Sequence, residues 1–78
     1  MKELKTYLKD TRISQDLLLK DLVAKSGIDG ALLSKYESGL RLPSERHIRK
    51  LADALAVDYQ LLRARWRAEQ LVQTVSEE

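Results

Sequence analysis

The sequence predicts an all-α domain built from five short helices, and three observations predict it. Apolar residues recur three and four positions apart along most of the 78 residues. Helix-stopping and helix-capping residues (Gly27, Asp29, Gly39, Ser44, Asp58) break that recurrence into short runs. No run alternates apolar with polar residues as a half-buried strand does. A chain of this length is expected to be one domain, residues 1–78, around one modest core.

The elements follow in order. Leu4, Leu8 and Thr11 share a stripe, while Lys2, Lys5, Lys9 and Asp10 face elsewhere, which predicts a first helix from about Lys2 to Ile13. Ser14-Gln15-Asp16 is polar and turn-like. Leu17 to Ser26 forms a second helix with Leu19, Leu22 and Val23 on one face, closed by Gly27, which tolerates a left-handed backbone. Asp29 can cap a third helix from about Gly30 to Glu37, with Leu33 and Tyr36 inward and Gly39 as its stop. Pro43 lies in the loop that follows. Ser44 caps a fourth helix that carries Glu45 in its first turn and Ile48, Leu51, Ala52 and Leu55 on one side, ending at Ala56-Val57. Asp58 caps the fifth, expected over residues 58–75 with Leu61, Leu62, Trp66, Leu71 and Val75, and Ser76-Glu77-Glu78 fraying.

Composition narrows the function. With 44% hydrophobic and 33% charged residues the chain suits a soluble globular domain rather than a disordered one. It has no cysteine and one histidine, His47, so no disulfide, metal site or cofactor is expected. No strained serine elbow or phosphate-loop glycine pattern occurs, and an enzyme is not expected. No apolar stretch approaches the ~20 residues of a membrane span, and no leader pattern is visible; the expected location is the cytoplasm. A net charge of +2 permits a nucleic-acid partner only if positive charge gathers on one face.

The most informative segment runs from Leu22 to Pro43. A helix, a glycine turn at Gly27-Ile28-Asp29 and a second short helix make a helix-turn-helix plan, in which the first helix braces and the second presents its N-terminal residues to base edges. Leu8 and Arg12, Leu22 and Ala24 before Gly27-Ile28, Leu33 and Ser34, Glu37 and Gly39 with Pro43, and Leu51-Ala52-Asp53-Ala54-Leu55-Ala56-Val57 fall in a shared register. Over about Leu8 to Leu62 the chain thereby resembles the lambda-repressor/Cro-type (Xre) helix-turn-helix regulators.

That resemblance implies a sequence-specific regulator of double-stranded DNA, a dimeric repressor that places the helix at about 30–37 in the major groove of a palindromic operator. The roles of phage-type repressor, antitoxin and restriction–modification controller stay open. It implies an Arg12–Glu37 brace, whose plain alternative is a stabilising ion pair. Lys35 would face the groove and donate to guanine or to a phosphate. Ser34 stands between base contact and local capping. Gly30 and Ala31 occupy places where relatives carry polar readers, and Ala31 could touch a thymine methyl. Leu32 stands between a thymine contact and core packing, with packing favoured. Ser38, Arg41, Arg46 and Lys20 are candidates for phosphate contact, as is Ser44, each with a solvated surface role as the alternative. Leu19 stands where relatives have a glutamine that grips the backbone, and leucine lacks that contact. Ser14-Gln15 only superficially resembles the family's serine-glutamine start of the second helix. His47 is expected to be exposed.

On the last helix, Tyr59, Leu62 and Trp66 form one stripe, and Leu61, Ala64, Ala68 and Leu71 form another. One small core hardly needs both. A homodimer interface is expected there, with Leu62, Trp66 and Leu71 in it and Trp66 as anchor, against the alternative that Trp66 folds into the core. Arg63, Arg65 and Arg67 flank the stripe, and Arg65 and Glu69 are spaced to pair. The competing reading is a protein-interaction module of the same fold that does not bind DNA specifically. No small-molecule substrate is suggested.

Overall fold

The structure, a computed structural model, describes residues 3–76, with side chains described through Leu71. Its elements are α1 (Leu4–Ser14), α2 (Leu19–Ser26), α3 (Gly30–Ser38), α4 (Glu45–Leu55) and α5 (Tyr59–Ser76), and no strand occurs among the described residues. Val75 as an inward residue and fraying at Glu77-Glu78 fall outside what is described.

The boundaries differ from the sequence expectation where caps are unusual. Glu3 is the N-cap of α1. Ser14 extends α1 by one residue, after which Gln15 N–H bonds to the Arg12 carbonyl and Asp16 adopts φ 58°. Leu17 stays outside α2 because its N–H also bonds to the Arg12 carbonyl, at 3.1 Å. Leu18 is the α2 cap: its backbone N–H donates to the Asp21 carboxylate at 2.8 Å, which occupies a donor the helix leaves open. Three expected caps are in place. Asp29 accepts from Leu32 N–H, Ser44 from His47 N–H, and Asp58 from Gln60 and Leu61 N–H.

One core serves all five helices. Leu4 and Leu8 of α1, Leu22 of α2, Leu33 and Tyr36 of α3, Ile48, Leu51 and Leu55 of α4, and Leu62 of α5 are buried together. Two connections are fastened by side chains. The Gln15 amide donates to the Leu55 carbonyl at 2.6 Å, satisfying a helix-end acceptor just before Ala56 turns left-handed at φ 56°. Arg63 pairs with Glu45 at 2.7 Å on the surface, and the Tyr59 hydroxyl adds a bond to the same carboxylate oxygen. Arg65 stacks over the Tyr7 ring at 4.4 Å.

The expected subunit anchors are corrected here. Leu62 is 1% and Trp66 5% exposed within a single chain, and the Trp66 indole N–H donates to the Pro43 carbonyl. Their apolar surface is already removed from water by the protomer's own core, so neither is available to a partner. Leu71, by contrast, is 68% exposed.

Candidate nucleic-acid interface

The α2–turn–α3 unit is fixed from the sequence outward. Gly27 closes α2 at φ 71°, a backbone state that most side chains oppose. The buried Ser26 hydroxyl accepts from Ile28 N–H at 3.1 Å, and Ile28 itself is buried, so the turn is pinned on both sides of the glycine. Asp29 then starts α3. Leu33 and Tyr36 face the core and Leu32 is half-buried against it, which leaves Ala31, Ser34, Lys35 and Ser38 exposed on the outer face. Gly30 is half-buried. A Cβ there would lie 3.4 Å from Val23 Cγ2, an ordinary contact, so packing does not demand glycine. The outer face of α3, at Ala31, Ser34, Lys35 and Ser38, is therefore uncovered by its own chain.

Arg12 and Glu37 are paired. Arg12 Nε and Nη2 donate to the two Glu37 carboxylate oxygens at 2.8 and 3.0 Å, and Nη1 donates to the Leu17 carbonyl at 2.8 Å. A planar guanidinium matches a carboxylate in this two-pronged way, which lysine cannot do. The hydrogen bond to Glu37 raises the Arg12 pKa further above its ordinary value. One side chain thus ties α1, the approach to α2 and the end of α3 together, and it holds α3 at a fixed attitude to the bundle.

Beneath the outer face, the Tyr36 hydroxyl meets His47 Nδ1 at 2.7 Å, with the two rings edge to face. His47 is half-buried, not exposed as the sequence suggested, because Tyr36 reaches under the loop to meet α4. Burial, and then the charges of Lys50 and Arg46, lower the His47 pKa. Burial raises that of Tyr36, and the nearby Arg41 opposes the rise.

The phosphate candidates sit on separate elements. Lys20 is exposed in the first turn of α2, Arg41 in the loop after α3, and Arg46 in the first turn of α4. Ser38 is the last residue of α3, and its hydroxyl donates to the Lys35 carbonyl at 3.1 Å, so its proton is committed locally. The Ser44 hydroxyl accepts the cap bond and keeps its own proton to give. Gly39 ends α3 at φ 83° with the Lys5 side chain against it: a Cβ at Gly39 would meet Lys5 Cδ at 2.6 Å.

Sequence reasoning missed one basic residue. Lys9 is exposed on α1 and lines a shallow depression with Arg12, Leu19, Ser34, Glu37 and Ser38. The signal was available: Lys9 is one helical turn before Arg12, and Arg12 is drawn to α3 by Glu37. Lys9 therefore supplies a cation at the edge where Leu19 supplies no polar group. Among the described residues no group of histidine, cysteine or acid side chains could hold a metal ion, and no helix is long and apolar enough to cross a membrane.

A family model described as helix-turn-helix matches residues 8–62, a span that contains Arg12, the whole α2–α3 unit, Glu37 and α4. No curated protein matches the chain.

Proposed function

The chain belongs to the lambda-repressor/Cro-type (Xre) helix-turn-helix family of DNA-binding regulators, and from that premise we propose that it is a non-catalytic, sequence-specific repressor that binds a palindromic operator as a homodimer. The observation that carries this reading is the exposed outer face of α3, with Arg12 and Glu37 tying α3 to α1. Lys35 supplies a groove-facing donor. Lys9, Lys20, Arg41 and Arg46 are exposed to meet phosphates, and the free hydroxyl proton of Ser44 can join them.

Support for the dimer comes from α5. Once Leu62 and Trp66 are assigned to the core, the outer stripe of Leu61, Ala64, Ala68 and Leu71 remains exposed, with Leu61 at 67% and Leu71 at 68%. If such a dimer forms, its half-sites are expected about one DNA turn apart, near 34–36 Å.

In vitro selection from a random duplex pool tests the whole reading. The expected product is a palindrome bound with a steep salt dependence, the logarithmic slope being about 0.9 per phosphate contacted. Recovery of no preferred sequence, together with a flat salt response, would favour the protein-interaction reading instead.

A further inference from the structure

Building on the proposed DNA-binding role, we infer that α3 reads its site through thymine methyl groups met by Ala31, and not through paired hydrogen bonds to bases. The base edges of the major groove call for different side chains. Guanine is read best by arginine or lysine, adenine by asparagine or glutamine, and the thymine methyl by an apolar contact. The sequence of α3 is Gly-Ala-Leu-Leu-Ser-Lys-Tyr-Glu-Ser, with no arginine, asparagine or glutamine. Its exposed side chains are Ala31, Ser34, Lys35 and Ser38. The Ser38 hydroxyl is bonded to the Lys35 carbonyl. Lys35 carries three donors on one ammonium at the end of a flexible stem, without the fixed fork of arginine, and so can serve at most one guanine or one phosphate.

That leaves Ala31 as the only exposed methyl at the end of α3 that this architecture directs at base edges. Its neighbours favour a close approach. Gly30 has no side chain, although the fold would accept one, since a Cβ there makes only an ordinary contact with Val23. Ser34, one turn on, is small. Short side chains at these three positions bring the α3 backbone, and the Ala31 methyl with it, towards the floor of the groove. The partner is therefore duplex DNA that carries A·T pairs where Ala31 docks, with the methyl as the recognised group.

The test uses the full chain and its selected duplex. Each thymine is replaced singly by deoxyuridine, which deletes only the methyl, and affinities are measured by fluorescence anisotropy. At least one position should weaken binding about fourfold, the value of one buried methyl-sized group. In Ala31→Gly the thymine and uracil duplexes should bind alike at that position. Ala31→Ser, which keeps a side chain and so keeps the helix, should narrow the difference as well, and circular dichroism confirms that both variants are folded. Equal binding of thymine and uracil at every position by the unaltered protein would overturn the inference. So would a uracil effect that Ala31→Gly leaves intact. In both cases tight binding of the selected site persists, so the DNA-binding role survives. Absence of any selected site would instead remove that role, and the inference with it.

Discussion

Removing the Glu37 carboxylate should unfold the protein far more readily than the loss of a surface charge. Glu37 accepts two charge-assisted hydrogen bonds from Arg12, at 2.8 and 3.0 Å. The paired side chains are only 12% and 9% exposed, so the charge left behind regains little hydration. Breaking a buried pair from one side costs about 3–5 kcal/mol. Arg12 keeps its bond to the Leu17 carbonyl and some access to water, which reduces the expected cost of Glu37→Ala to about 2–3 kcal/mol. Domains of this length are stable by roughly 4–12 kcal/mol. The melting temperature should accordingly fall by roughly 10–20 °C. Urea unfolding followed by far-ultraviolet circular dichroism, on the unaltered chain, Arg12→Ala, Glu37→Ala and the double variant, gives the coupling energy. The brace predicts at least about 1.5 kcal/mol of coupling. A coupling below about 0.5 kcal/mol, the level of an exposed pair, would refute the reasoning.

Four further outcomes are expected. Gly30→Ala should stabilise the fold by about 0.5–1 kcal/mol in the same denaturation assay, because the helix gains propensity and the added Cβ meets only an ordinary contact; a loss would show that the backbone at residue 30 is strained. The His47 pKa lies below its usual 6.5 in the folded state, so the unfolded chain binds the extra proton more readily and stability should fall as pH drops through 6.5 towards the folded value. His47→Gln should flatten that fall in melting temperature, and identical pH profiles would remove His47 as its source. Leu61→Asp and Leu71→Asp should shift the mass found by light scattering from dimer to monomer without loss of helix content, while an unaltered chain already monomeric at high concentration would sink the α5 pairing. Lys35→Ala should weaken binding to the cognate site by about 1–3 kcal/mol in a gel-shift titration if a base is read, whereas Arg41→Ala should weaken cognate and random DNA equally; a selective loss at Arg41 would make it a base reader.

The fold was largely legible because its signals are local. Gly27, Gly39, Asp29, Ser44 and Asp58 each mark a helix end by their own chemistry, and the apolar spacing of Ile48, Leu51, Ala52 and Leu55 needs no partner to be recognised. The start of α2 was not legible. Leu18 has no capping side chain, and its N–H is met by Asp21, three residues ahead. The α5 stripes were visible as two, but periodicity does not say which stripe the core takes. That choice is made by the Trp66 indole bond to Pro43, 23 residues away. At the candidate interface, the Arg12–Glu37 partnership was implied by the resemblance to the helix-turn-helix regulators, whereas the Tyr36–His47 bond and the placement of Lys9 beside Ser34 depend on how α1, α3 and α4 cross. The Gln15 amide bond to Leu55 spans 40 residues, and no local pattern announces it.

The indole of Trp66 also gives the molecule an optical gauge. It is the sole tryptophan, shielded from solvent and bonded at 2.5 Å to the carbonyl of Pro43, where the loop behind the exposed helix turns into α4. Emission colour and lifetime therefore register any displacement of that carbonyl. A titration with DNA can be followed at this one chromophore, with no dye attached, and a signal constant through saturation would identify the loop as a rigid strut.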